Sequence, residues 1–266
     1  QTAARGQHLS QLTESLQTQY TSPLEKSGEN WAIAVMDPAT DDYSTIHAEE
    51  TMQAAGLIRS YIMGAVYEKL VYPDPASEAS VDYQKTLKPL LQKMIASNDS
   101  NAANELVTLL GSGDFKTGAA VVNQFCQDHG FTSTRLEAPL TADSSEKTNS
   151  TSASDCCRLL SEIYNQTLVN SNASSEMLSL LKQQAEKDKI LSGLPAETET
   201  AGTEGTQSDS VENNMAVVLD SASPYVFCVL SNNIKNSSEA KENTKKISAD
   251  IYQYMTSESK SPDTPS

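Results

Sequence analysis

Residues 52–72 read Met-Gln-Ala-Ala-Gly-Leu-Ile-Arg-Ser-Tyr-Ile-Met-Gly-Ala-Val-Tyr-Glu-Lys-Leu-Val-Tyr, and this stretch decides how the rest of the chain is read. Leu57, Ile58, Tyr61, Ile62, Ala65, Val66 and Leu70 recur at about 3.6-residue spacing, which predicts a helix. The segment is apolar nearly all round, so the helix is expected to run through the middle of a domain rather than along its surface.

On the N-terminal side, residues 3–21 predict an amphipathic helix with Leu9, Leu12, Leu16 and Tyr20 on one face, ended by Ser22-Pro23. Trp31 to Met36 reads as a strand closed by Asp37-Pro38, and Tyr43 to Ala48 alternates like its hairpin partner. On the C-terminal side, residues 73–140 read as mostly helical. Leu87–Met94 forms one helix, a second carries Leu106, Leu109 and Leu110 to Gly111, and Phe115–His129 forms a third with Gly130 as its C-cap. Beyond a polar stretch from Thr141, Ser154-Asp155 is expected to cap a helix through Leu168, followed by one from Ser174 to Glu186. Residues 196–213 read as a polar, Gly-containing stretch. Met215–Leu219 and Tyr225–Leu230 then predict two strands of a hairpin, and Ser237–Met255 a last helix with Ile247, Ile251, Tyr252 and Met255 inward.

Strands at both ends of a chain complete one antiparallel sheet only if the termini come together. The expected architecture is therefore α+β: a sheet of about five strands built from both chain ends, flanked by helices, with an all-helical lobe inserted. The boundaries read as a sheet lobe at 1–52 and 190–255, a helical lobe at 53–189, and a polar tail at 256–266.

Composition narrows the partners. With 35 acidic against 19 basic residues the net charge is -16, a surface that repels nucleic acid and anionic membranes. No run reaches the ~18 apolar residues of a membrane span. The opening at Gln1 without a leader, together with loops rich in Ser, Thr, Asn and Gln, predicts a mature extracytoplasmic protein, secreted or anchored through a segment absent here. Cys126, Cys156, Cys157 and Cys228 have no metal-type spacing, and His8, His47 and His129 are scattered, so no metal or cofactor is expected. Cys126 and Cys228 sit in apolar segments as small core residues. The adjacent Cys156-Cys157 offers a disulfide partner whose mate the sequence does not identify.

Several segments resemble the class A serine β-lactamases and penicillin-binding proteins. Ala54-Ala55-Gly56-Leu57-Ile58-Arg59 is similar to the start of that family's active-site helix, where a nucleophilic Ser is followed one turn later by Lys in the pattern S-x-x-K. Here the two positions hold Gly56 and Arg59. Residues 94–111, anchored on Ala102, Asn104 and Leu106, resemble the second motif region, and S-D-N becomes Asn98, Asp99 and Ser100. Gly130 to Glu137 resembles the approach to the omega loop, yet the Glu-x-x-Leu-Asn that supplies the deacylating base in class A enzymes does not follow; Glu137 and Glu146 are the carboxylates on hand. The third motif, K-T-G on an edge strand, falls by resemblance within Thr200-Ala201-Gly202-Thr203-Glu204-Gly205, which has no lysine. The likeness spans nearly the whole chain and is strongest in the scaffold.

The substitutions bear directly on chemistry. Glycine offers no nucleophile, and a guanidinium stays protonated where a buried lysine can be tuned to act as a base. The sequence therefore implies a pseudoenzyme with no catalytic residue at Gly56, Arg59, Asn98, Asp99 or Ser100. It would act as a binding or structural module toward a peptidoglycan peptide or a cell-envelope protein, with Gly56, Arg59, Ser100 and Thr203 as the candidate binding residues. Two arrangements of Arg59 are open: an anion held between the helix N-terminus and the guanidinium, or an internal pair with Asp99 that plugs the cleft. The competing function is a serine hydrolase with a relocated nucleophile, such as Ser100 or a serine on the edge at 200–206. Ser60, beside Arg59, is expected to face elsewhere, and His47 and His129 to be ordinary surface or turn residues.

Overall fold

A computed structural model describes residues 2–141, 149–184, 190–207, 210–220 and 222–257. Its centre is a five-stranded antiparallel sheet in the order β2-β1-β7-β6-β5, with β1 at Asn30–Met36, β2 at Tyr43–Ile46, β5 at Thr200–Gln207, β6 at Val211–Val218 and β7 at Tyr225–Asn232. A two-residue pair, β3 (Met52–Gln53) with β4 (Ser150–Thr151), joins the two halves of the molecule beside the central helix. Strands from both chain ends thus share one sheet, as the element order implied.

The sheet separates two apolar layers, because strand residues alternate between its faces. On one side α1 (Thr2–Leu16) and α9 (Ser237–Ser257) bury Leu9, Leu12, Ile247, Ile251 and Met255 against Trp31, Ile33, Val218 and Phe227. On the other, Ala34, Met215, Val217 and Cys228 meet the helical part of the chain. At its middle runs α3 (Ile58–Val66), in which every residue except Arg59 is buried. Around it lie α4 (Lys88–Ala96), α5 (Ser100–Leu110), α6 (Phe115–Asp128), α7 (Ala153–Tyr164) and α8 (Ser171–Lys182). Among the described residues no helix is long and apolar enough to cross a membrane.

Several boundaries differ from expectation for local reasons. The first helix continues past Ser22-Pro23 through a π turn (Gln17–Thr21) into α2 (Ser22–Lys26), because Pro23 sits in a first turn, where its missing N–H costs no bond. Residues 73–82 and 129–140 are irregular rather than helical. Ser152, not Ser154, caps α7 by accepting the Asp155 amide, and Asn170 caps α8 three residues earlier than predicted. The stretch read as polar and Gly-containing, 196–213, contains all of β5, where the resemblance placed an edge strand, and the start of β6. Helix α9 runs two residues into the expected tail, and 258–266 lie outside the described residues.

Candidate functional site

The site begins where β3 ends. Ala54 leads into a 3-10 turn, Ala55–Leu57, in which Ala55 has φ +46°. A left-handed backbone at a non-glycine residue stores of order 1–3 kcal/mol and persists only where surrounding packing enforces it. Here the enforcing contact is β5. A Cβ added to Gly205 would lie 2.6 Å from the Gly56 amide nitrogen and 3.0 Å from that of Leu57, so the strand abuts the helix start backbone to backbone.

Arg59, one turn on, folds back over Gly56. A Cβ built on Gly56 would overlap Nη1 of Arg59 and lie 3.0 Å from the Glu204 carbonyl oxygen. The guanidinium therefore stands where the side chain of residue 56 would begin. Its Nη2 donates to Ser100 Oγ at 3.2 Å. Asp99 is turned to its own helix: its Oδ1 accepts the Ala102 amide at 2.9 Å as the N-cap of α5. The acid expected as an internal partner of Arg59 is thus the N-cap of α5. Asn98, ahead of it, is left-handed at φ +53°, a conformation that Asn tolerates better than most residues.

A cavity of about 360 Å³ opens over these residues, lined by Gly56, Arg59, Ser100, Asn149, Thr206 and Gln207 among others. Gly56, Arg59 and Ser100 are thus brought together. Thr203 is not among the lining residues: it pairs with Met215 on the helix-facing side of the sheet and is 2% exposed. Thr206 and Gln207, further along the same strand, line the cavity instead, which the sequence did not reveal because the register of β5 against α3 is set by Gly205. The edge Thr200–Thr206 carries three threonines and no serine, so among the described residues Ser100 is the serine that lines the cavity, and it is hydrogen-bonded to Arg59. Ser60 is fully buried. His47 pairs with Glu25 and Glu50, and His129 with Glu68, neither at the cleft. Glu137 pairs with Arg135, and Glu146 lies outside the described residues.

The wall opposite β5 is a strap, residues 135–140, held by three asparagine side chains. Asn123 exchanges two hydrogen bonds with the backbone of Leu136 (2.7 and 3.0 Å), and Asn104 does the same with Leu140 (2.8 and 3.1 Å). Asn149 Oδ1 accepts from the Glu137 and Ala138 amides, its Nδ2 donates to the Ala138 carbonyl, and its own carbonyl accepts the Ala54 amide. Asn149 thereby ties the strap to the turn that precedes Gly56. A lone Asn in a helix or loop carries no sequence signal for such a role, so these clamps went unread.

A family model described as "Beta-lactamase enzyme family" matches residues 11–255. The chain belongs to the beta-lactamase enzyme family. "Beta-lactamase 3" of Bacillus cereus is 24% identical over 229 residues, 78% of this chain and 71% of that protein. Among solved structures, PBP-A superposes with a TM-score of 0.74 at 20% identity, covering 93% of this chain and 95% of that one. An ancestral class A β-lactamase superposes with a TM-score of 0.73 at 21% identity, covering 91% and 99%. At these identities the structural likeness establishes the β-lactamase fold.

Proposed function

We propose that this β-lactamase-family protein is a pseudoenzyme that acts outside the cytoplasmic membrane as a binding module for a carboxylate-bearing ligand, such as a peptidoglycan peptide. One observation carries the reading: the Arg59 guanidinium fills the place of a side chain at residue 56, so the cleft presents a fixed cation where acyl transfer would need an attacking oxygen. Loss of such a nucleophile costs about 10⁶ in turnover in a well-studied serine hydrolase. The remaining cavity of about 360 Å³ is in the range of small-ligand sites. A guanidinium in its wall suits a carboxylate, which it can hold through paired N–H donors. The Ser-, Thr- and Asn-rich loops support the extracytoplasmic placement.

The test is a reporter penicillin followed by intact mass, with a chromogenic cephalosporin assayed in parallel. No adduct and no turnover above buffer are expected, and either one would overturn the pseudoenzyme reading. Calorimetry with a short peptide bearing a free C-terminal carboxylate then tests the ligand class. Binding that is lost when that carboxylate is amidated, and lost in Arg59→Ala, supports it; equal binding of both peptides refutes it.

A further inference from the structure

Away from the cleft, three tyrosines gather around one carboxylate. Tyr67 opens the π turn Tyr67–Val71 that follows α3, and Tyr72 is the C-cap of that turn; Tyr83 opens the π turn Tyr83–Leu87 that leads into α4. Tyr72 Oη donates to Glu176 Oε1 at 2.9 Å, and Tyr83 Oη to Glu176 Oε2 at 3.4 Å. The rings of Tyr67 and Tyr72 stack with centroids 6.5 Å apart. Beside the carboxylate lies a cavity of about 400 Å³, lined by Tyr67, Tyr83, Lys88, Leu91, Glu176 and Leu180 among others.

Glu176 is half-buried on the second turn of α8, whose N-cap is Asn170. It stands past the free amides that favour a carboxylate at a helix start. The two hydroxyls take one acceptor position on each oxygen, the bond at 3.4 Å being a long one, and leave a second position open on each. Tying the tyrosines to α8 needs only accepting oxygens, whereas a carboxylate also brings a negative charge. Lys69 pairs with Glu68 and Lys182 with Glu199, and among the described residues no salt bridge reaches Glu176. A charge drawn partly out of water without a counter-ion is costly, and a cationic ligand in the adjoining cavity would offset that cost.

We propose that this cavity binds a primary alkylammonium ion, the group that ends a lysine side chain. Its N–H donors meet the open acceptor positions of Glu176, while Leu91 and Leu180 cover its methylenes. Tyr67 and Tyr83 add aromatic surface, to which a cation is attracted. The volume is in the range of small-ligand sites. Lys88 is exposed and lines the same cavity, so its like charge opposes the ligand rather than holding it. No lining residue is shared with the cavity at Gly56, so the site stands or falls separately from the carboxylate-binding reading of the cleft.

The experiment titrates the whole protein with n-pentylammonium, at neutral pH and constant ionic strength, and follows the backbone amides by proton–nitrogen correlation NMR. The neutral analogue n-pentanol and the quaternary ion tetramethylammonium, which has no N–H, are titrated in parallel. Saturable shifts at Tyr67, Tyr83 and Glu176 are expected with the amine, none with the alcohol, and weaker binding of tetramethylammonium. Glu176→Gln keeps an accepting oxygen and should weaken the amine roughly three- to tenfold. Lys88→Ala removes a like charge and should bind the amine at least as tightly as the unmutated protein. Equal shifts with pentanol, no shifts with the amine, or tetramethylammonium binding as tightly as the amine overturns the proposal, as does weaker binding in Lys88→Ala. The amine-against-alcohol comparison on the unmutated protein decides the matter even where a variant fails to fold.

Discussion

The guanidinium of Arg59 occupies the space into which a side chain at Gly56 would grow, so the two residues form one steric unit. Gly56→Ser should therefore not restore hydrolysis. The new Cβ meets Nη1 and, at 3.0 Å, the fixed Glu204 carbonyl, and overpacking of this kind costs about 1–3 kcal/mol. Adding Arg59→Ala should recover part of that loss. A double-mutant cycle by urea unfolding is expected to show coupling of roughly 0.5–3 kcal/mol, and strict additivity would contradict the geometry.

This unit was half legible in the sequence. Gly56 and Arg59 stood out because the helix around them is apolar and their positions resemble a known motif. That Arg59 reaches Ser100 was not legible, although Asp99 carried a clue: an Asp followed three residues later by an unpartnered helix amide is a cap, which commits its carboxylate elsewhere. The sheet was legible at β1, β2, β7 and the second half of β6 from Met215, where apolar residues run together or alternate. Strand β5 was placed only by the resemblance and not by its residue pattern, because Thr200–Gln207 is short of apolar side chains and contains Gly202 and Gly205, residues that serve backbone approach rather than strand propensity.

The strap clamps make a local prediction. Asn104→Ala removes both bonds to Leu140 and leaves a largely buried amide and carbonyl without their partner, at a cost of about 1–3 kcal/mol. Amide hydrogen exchange should speed up at Leu140 and Ala138 while the sheet stays protected. Unchanged exchange in the strap would mean that Asn104 does not hold it.

Asp155 gives the stability a pH dependence. It is buried, accepts from the Ser133 amide at 3.0 Å and from Thr134 Oγ1 at 2.7 Å, and links through Thr151 to Tyr61. Burial raises its pKa above the ordinary carboxylate value of 3.8, against the lowering effect of Thr134, Ser133 and Arg158. The folded state thus holds the proton more tightly than the unfolded chain. The stabilisation from this group is complete below the unfolded pKa and is lost as pH rises through the raised folded value. Asp155→Asn keeps an accepting oxygen and should flatten the acid side of the stability curve; chemical denaturation at a series of pH values from about 4 to 7 checks this. A curve that keeps its slope in Asp155→Asn would place the titration elsewhere.

Gly205 sets the approach of β5 to the turn at Gly56, and its replacement should act on both fold and cleft. In Gly205→Ala the new methyl would meet the Gly56 nitrogen at 2.6 Å, the Leu57 nitrogen at 3.0 Å and the Ala54 carbonyl oxygen at 3.1 Å. All three are backbone atoms within a turn already strained at Ala55, so none yields as the end of a side chain would. The strand must draw back or the turn must open, at a cost of roughly 1–3 kcal/mol. Either movement shifts Thr206 and Gln207 relative to Arg59 and reshapes the cavity they share. A ligand that binds through Arg59 should therefore lose affinity in Gly205→Ala by more than the same protein loses in Gly113→Ala. Gly113, unlike Gly205, has a positive φ of +106°, which strains an alanine there, and a Cβ meets nothing within 4 Å, which makes it a control for destabilisation away from the cleft. Titration of both variants with the same carboxylate peptide, at matched folded fraction, separates the two effects; equal losses would mean that the strand approach does not shape the site.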